Sequence, residues 1–290
     1  MRFLHVSDSH LGYSAYNAID ERGLNKREGD VYRSFEWAVD KALKLGVDAV
    51  VHSGDLFDSI RPSNRAITFA LEQVIRLSDA DIPFIVISGN HDTPRMRKTG
   101  AVLRIFQHLK NVHPIYGISP SSVAVKDCLF TGTGFVPEEE GFMSAVKSMV
   151  PDSKYRFNVA ILHVGVSGLS VFKTGEFNEL VVPEGSIPKG FDYVALGHYH
   201  DQVEPVKNCW YAGSCERLSF SEANQQKGAL LVNLDNGVVE AVPYHGRPMC
   251  IFEIDASGKN ANEVMTQFEE MADVEEGAMV SVKIWGVCES

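Results

Sequence analysis

The chain has 290 residues with 44% hydrophobic composition, which suits one large domain, or a large domain with a small appendage, around a sizeable core. No apolar run approaches the roughly 20 residues that cross a bilayer. Arg2-Phe3-Leu4-His5-Val6 opens the chain without the pattern of a signal peptide, so the expectation is a cytoplasmic protein with no membrane segment. The formal net charge of −11 argues at first against nucleic acid, but the acidity is uneven. Between Asn260 and Ser290 seven acidic residues stand against Lys283 alone, so the remainder is only mildly acidic.

In chain order, Phe3 to Ser7 reads as a short buried strand. Val31, Phe35, Ala38, Ala42 and Leu45 follow helical spacing, and Gly46 ends that helix as a C′ residue. Val47 to His52 is an apolar β-branched run that ends at Gly54-Asp55. Ser63 opens a second helix with Ile67, Leu71, Val74 and Ile75 expected inward. Ile85 to Ile87, Asn158 to Leu162 and Tyr193 to Leu196 are further strands. After Asp201 the pattern changes: residues 210–212, 228–234 and 238–244 read as antiparallel strands, with Asp235-Asn236-Gly237 a hairpin signal. Beyond Arg247-Pro248, strands at 250–254 and 279–285 flank a helix with Val264, Phe268 and Met271 on one face. Cys128, Cys209, Cys215, Cys250 and Cys288 are odd in number, form no Cys-x-x-Cys pair and read as reduced thiols.

Chemistry concentrates where the strands end. The blocks are Asp8-Ser9-His10, Gly54-Asp55, Gly89-Asn90-His91-Asp92, His163 and Gly197-His198-Tyr199-His200. In open α/β sheets such turns at carboxyl ends of strands gather into one site. Carboxylates, an amide oxygen and imidazoles without a thiolate suit borderline-hard divalent ions such as Mn²⁺. Taken as an ordered set, the blocks point to a two-metal phosphoesterase, in which a bridging ligand keeps the ions about 3.5–4 Å apart. Asp8 and His10, two apart, can share an ion, as can His198 and His200. Asp55, the lone carboxylate of the middle block, suits the bridge. His91 is better placed as general acid, or as a cation facing phosphate, than as a ligand. Asp92 either orients that imidazole or caps a following helix. His52 is a catalytic or supporting imidazole, or plain core; His5 reads as a satisfied core histidine, and His108, His113 and His245 as surface or packing residues. Neither a dinucleotide fingerprint nor a phosphate-loop lysine is present.

These motifs are similar to those of the calcineurin-like metallophosphoesterases, from Met1 to about Leu234. Asp8 to Tyr13, Asp30 to Phe35, His52 to Asp58 with Arg61-Pro62-Ser63, and Gly213 to Glu222 resemble the Mre11/SbcD nuclease branch. Leu11-Gly12-Tyr13 and the Gly-Ser-x-Glu-Arg stretch carry most of that narrower likeness. The resemblance implies an α/β fold: a two-sheet α/β/β/α sandwich core at 1–246 with a small α+β capping domain at 247–290. It implies two Mn²⁺ ions, with Mg²⁺ or other divalent ions as substitutes. One ion would take Asp8, His10, Asp55 and His200, the other Asp55, Asn90, His163 and His198. His91 would assist departure of the 3′ oxygen, with His52 beside it.

Implied partners are DNA ends, single strands and hairpins, and a Rad50/SbcC-type ATPase in double-strand-break repair. The implied activities are 3′-to-5′ exonuclease and endonuclease. A homodimer would form through helices at 64–77 and 101–109. Candidate DNA contacts are Tyr13, Arg61, Arg65, Arg95, Arg97, Lys98 and, against sugar or base, Phe177. Family chains usually continue past the cap into helices that grip the ATPase, whereas this sequence stops at Ser290. The alternatives are a phosphatase or phosphodiesterase for small phosphoesters, and a mainly non-catalytic scaffold at DNA ends.

Overall fold

The structure is a computed structural model that describes residues 1–94, 99–167, 180–270 and 274–287. The chain divides into two compact units, one of residues 1–216 with 226–244, the other of residues 217–225 with 245–290.

The first unit is built on two six-stranded sheets. In the first sheet β1 (Arg2–Val6), β2 (Ala49–His52), β3 (Phe84–Ile87) and β4 (Val112–Ile115) run parallel. The second sheet comprises β5 (Ser121–Val125), β6 (Cys128–Gly132), β7 (Phe157–His163), β10 (Tyr193–Gly197), β11 (Val203–Val206) and β12 (Cys209–Tyr211). Between β7 and β10 lies a separate short parallel pair, β8 (Gly165–Val166) and β9 (Val181–Val182). The first sheet is completed by β13 (Lys227–Asn233) and β14 (Val238–Tyr244), an antiparallel hairpin whose β13 pairs with β1. The antiparallel character expected after Asp201 holds for this hairpin but only partly for β12, which is antiparallel to β11 and parallel to β10.

Alternating side chains of both sheets meet in one apolar layer. Phe3, Val51, Ile85 and Ile87 from the first sheet face Phe130, Val159, Ile161 and Ala195 from the second. Burying each of the larger side chains, Val, Ile or Phe, contributes about 1.5–3 kcal/mol. Phe3 sits edge-on to Phe130 at 5.6 Å and to Tyr193 at 5.5 Å, a favoured aromatic geometry. The other face of the second sheet is covered by α3 (Glu139–Ser148), whose Phe142 and Val146 pack with Leu162, Val194 and Leu196. The outer face of the first sheet carries α1 (Lys26–Leu45) and α2 (Asn64–Asp79). The layers are therefore α/β/β/α.

Both helix boundaries follow from local chemistry. Gly46 adopts the left-handed conformation that closes α1, and the Ser63 hydroxyl accepts from Ala66 N at 3.2 Å to open α2. The inward stripe of α2 differs from expectation. Ala66, Ala70, Gln73, Val74 and Leu77 are buried, while Ile75 is 40% exposed and Ile67 and Leu71 are half-buried. The small Ala66 and Ala70 let α2 lie close to the core, and Tyr32 of α1 stacks on Phe69 at 4.5 Å. The segment 101–109, expected as a helix, is a single 3₁₀ turn at Val102–Phe106 held by buried Leu103 and Phe106.

In the second unit β15 (Met249–Asp255) and β16 (Met279–Trp285) pair in parallel, joined by a crossover containing α4 (Ala261–Glu270). Arg217 donates to Ala223 O at 3.1 Å and to Gln225 O at 3.0 Å, folding the 217–225 segment back on itself. Met271 lies outside the described residues. Cys128, Cys209, Cys215 and Cys250 are free thiols, and no described helix is long and apolar enough to cross a membrane.

Candidate metal centre

Five parallel strands deliver the chemistry to one edge of the sandwich. The turns after β1, β2 and β3 supply Asp8, His10, Asp55, Asn90 and His91; β7 ends in His163, and the turn after β10 supplies His198 and His200. The β1 and β2 turns remain paired beyond the strands, with Asp8 N donating to Gly54 O at 3.1 Å and His10 N to Asp55 O at 3.0 Å. Asp8, His10, Asp55 and His198 all have positive φ, a conformation that costs non-glycine residues energy and collects at functional sites. Two glycines make the close approach possible. Gly54 has φ of 108°, and a Cβ there would overlap the His163 imidazole; a Cβ on Gly89 would overlap the Asp55 carboxylate.

The ligand atoms converge in overlapping groups: Asp8, His10 and His200; Asp8, Asp55 and His163; and His10, Asp55 and His91, each within 4.8 Å. Asp55 Oδ2 lies 3.1 Å from His163 Nε2 and 4.0 Å from His10 Nε2, so one carboxylate reaches both sides. Asn90 Oδ1 stands 2.9 Å from His163 Nε2 and 3.1 Å from His198 Nδ1. Asp8 is held by the Ser7 hydroxyl and by His198 N at 3.0 Å. His163 Nδ1 donates to Ser53 O at 2.9 Å. Its other nitrogen is thereby aimed at Asp55 and Asn90. The buried Nε2 of His10 has no hydrogen-bond partner among the described residues. Buried carboxylates and an unpartnered imidazole nitrogen facing one another fit divalent cations.

Burial opposes a charge on Asp55, but the adjoining His163 imidazole, with His10 behind it, holds its carboxyl well below the usual carboxylate range. Burial likewise opposes protonation of His163, and Asp55 overcomes it, raising the imidazole to about 9. A cation at this position therefore displaces a proton. Mn²⁺ affinity of the chelated protein is expected to rise between pH 7 and pH 9, by up to about tenfold per unit. Calorimetry in buffers of different ionisation enthalpy would register about one proton released, and a pH-independent affinity would contradict His163 as the proton-bearing ligand.

Two further sequence-predicted residues lie beside these groups. Among the described residues, Asp92 is bound by main-chain amides. Its carboxylate accepts from Gly89 N at 2.8 Å, Leu56 N at 3.1 Å and Phe57 N at 3.4 Å, tying the second and third turns together. Burial, then the neighbouring Asp55 charge, pushes it up to about 7. His52 is fully buried between the rings of Phe35 and Phe84, and its Nε2 meets Ser9 Oγ at 2.8 Å. Burial lowers it to about 3, so it stays neutral; Ser9, which it meets, lies between Asp8 and His10 in the chain. His5 is a core histidine with both nitrogens satisfied, by Tyr193 OH at 2.9 Å and Ser53 Oγ at 2.8 Å.

Residues not singled out as site candidates in the sequence also shape the site. Asp58 Oδ1 accepts from His10 Nδ1 at 3.1 Å, and the Asp58 carbonyl accepts from His91 Nδ1 at 3.1 Å. Buried Lys227 donates to His200 O at 2.7 Å and Ser214 Oγ at 2.8 Å, fixing the last ligand turn to β13. Arg61 and Arg65 are exposed on the segment between β2 and the first turn of α2; Arg95, Arg97, Lys98 and Phe177 lie outside the described residues.

Residues 1–202 match the family model for calcineurin-like phosphoesterase, and the chain belongs to that family. The chain is 30% identical over 292 residues to the DNA double-strand break repair protein Mre11 of Methanococcus maripaludis, covering 95% of this chain and 74% of that protein. It is 34% identical over 202 residues to the protein of that name from Saccharolobus solfataricus, and 33% identical over 268 residues to the one from Sulfolobus acidocaldarius. The matches cover 69% and 84% of this chain, and 49% and 63% of those two relatives. The chain is an Mre11-type metallophosphoesterase that spans between half and three-quarters of these relatives' lengths.

Proposed function

We propose that the chain is a Mn²⁺-dependent DNA nuclease acting in double-strand-break repair, a 3′-to-5′ exonuclease that also cuts single strands and hairpins. The observation that carries this reading is the Asp55 carboxylate, within reach of both His163 and His10 at the meeting point of the turns. One ion is assigned Asp8, His10, Asp55 and His200, the other Asp55, Asn90, His163 and His198. When bound, two such ions supply an activated water and neutralise the phosphate during in-line attack. The chain's own residues do the rest. Ser7 and His198 N hold Asp8, Ser53 O sets the His163 ring, and His91 gives its proton to the departing 3′ oxygen. The names of the relatives support DNA as substrate and, by extension, a Rad50/SbcC-type ATPase as partner, a homodimer and a cytoplasmic, nucleoid-associated location. Residues 247–290 are assigned to a cap.

The test is Mn²⁺-dependent cleavage of a DNA hairpin set beside hydrolysis of a small phosphomonoester, with and without the ATPase. Preference for the phosphomonoester would reassign the chain as a phosphatase; DNA binding without cleavage of either would make it a scaffold.

Phosphates are assigned a track over Tyr13, Arg61, Arg65, Arg95, Arg97 and Lys98, with Phe177 against the sugar or base. Arg65 is 58% exposed and lies 3.7 Å from the largely buried Glu28, which also accepts from Tyr32 OH at 2.6 Å. Replacing Arg61 and Arg65 together by Ala should weaken binding to all DNA sequences alike. The slope of log affinity against log salt should fall by about two units, one for each phosphate deprived of its arginine. An unchanged slope in a filter-binding or anisotropy series would move the track elsewhere.

A further inference from the structure

We infer, on the metal-centre reading above, that His5 is a positioning residue: through Tyr193 and Ser53 it sets how one sheet is seated on the other. The two halves of the ligand set depend on that seating. The first sheet and its turns supply Asp8, His10, Asp55 and Asn90, whereas His163, His198 and His200 come from the second. The layer between the sheets is apolar. Burial of apolar area is non-directional, so it holds the sheets together without fixing how far one slides along the other. Hydrogen bonds have preferred distances and angles, and they can fix it.

Strand alternation turns His5 to the same side of β1 as Phe3, into that layer. Its Nδ1 meets Tyr193 OH, on β10 of the second sheet, at 2.9 Å. Its Nε2 meets Ser53 Oγ, on the turn after β2, at 2.8 Å. All three residues are buried. Burial, then the neighbouring His52, lowers the His5 ring to about 3, so it is neutral. A neutral imidazole has one N–H and one lone pair, and each hydroxyl can donate or accept, so both bonds form in either tautomer. Ser53 is tied on its other atoms as well: its N donates to Val6 O at 3.0 Å, and its carbonyl accepts from His163 Nδ1 at 2.9 Å. Two arms therefore run from Ser53 to the second sheet, one through His5 to Tyr193 and one to His163. The strand partner of His163 is Gly197, four residues beyond Tyr193 on β10. At about 3.3 Å per residue the arms land roughly 13 Å apart along the strands, a triangle that resists sliding in that direction. Gly197 shows how tight the seating is, because a Cβ there would overlap the Ser53 carbonyl and the Ser7 hydroxyl.

The test replaces the whole brace at once. Removing one member strands the buried polar atoms of the others, whereas apolar groups of similar shape at every position leave stability nearly unchanged. The triple variant His5→Leu, Ser53→Ala, Tyr193→Phe keeps the main-chain carbonyl that holds His163. Mn²⁺ alone is the metal probe, added to the chelated full chain and followed by electron paramagnetic resonance, beside thermal midpoints and DNA cleavage. The parent should show a spin-coupled pair of ions. In the triple variant the metal-free midpoint should stay close to the parent's, while the coupling weakens or spreads over several spacings. The cleavage rate should fall on the order of 10²-fold, the scale for a misplacement of about 1 Å. A parent-like coupled signal and rate overturn the inference whether or not the midpoint falls, since His5 then serves packing alone. If the triple variant does not fold, Tyr193→Phe, which removes a single oxygen, is read by the same signal with the same two outcomes. A parent without a coupled pair overturns the metal-centre reading, and the role of His5 falls with it.

Discussion

Asp55→Ala is expected to abolish cleavage of every phosphodiester and to remove the proper pairing of the ions, with the fold retained. The Asp55 carboxylate is within reach of His10 on one side and His163 on the other. Two cations at about 3.5–4 Å repel each other strongly unless a shared anion lies between them. Its second oxygen also accepts from His91 N at 2.9 Å, so the same side chain places the turn that carries the proposed acid. Asp55→Asn separates these duties: the amide oxygen can still receive the His91 N–H, but the bridging charge is gone. Both variants should show metal content by mass spectrometry well below the parent's, and both should lose activity. The fold should survive, because Asp92 still ties Gly89 to Leu56 and Phe57, and with the Asp55 charge removed Asp92 ionises more readily. Two fully occupied ions in Asp55→Ala would end the bridging assignment.

The positions of the candidate ligand blocks are legible because each follows a short, largely apolar run, and parallel strands present their carboxyl ends on one side. Asp8, Asp55, Asn90, His163 and His198 can all be found from that rule. What the rule does not contain is which side chain answers which. Asp92 follows His91 in sequence, so a carboxylate–imidazole pair is the natural guess. The turn instead buries Asp92 on three backbone amides, and the imidazole finds the carbonyl of Asp58, 33 positions earlier. His52 has the neighbours of a catalytic residue in the chain, but strand alternation turns it to the helix side, between Phe35 and Phe84. Lys227 carries no local signal at all; its role comes from β13 pairing against β1, a pairing of strands more than 200 residues apart in sequence. The same limit explains α2, where apolar size suggests Ile67 and Ile75 as inward, and close packing selects Ala66 and Ala70.

His91→Ser should retain metal and DNA binding and lose roughly 10²–10⁴ in rate, the range for a positioned general acid. The ring is 27% exposed on its side chain, whereas the His10 and His163 side chains are at most 2% exposed, which suits a group that must meet substrate. Its Nδ1 is engaged by the Asp58 carbonyl, so the ring is held in one orientation by a bond that the Ser variant removes without touching any assigned ligand. The competing role is explicit in the geometry, because His91 also joins His10 and Asp55 in a group compact enough for an ion. Two measurements separate them. If His91 is a ligand, metal occupancy falls with activity in the Ser variant. If it is the acid, occupancy holds, and the defect depends on the leaving group. A DNA substrate with sulfur in place of the scissile 3′ oxygen expels a thiolate that needs no proton, so His91→Ser should cleave it at nearly the parent's rate. A deficit equally large on the sulfur substrate, with both ions bound, would mean that His91 stabilises the phosphate's charge and does not deliver the proton.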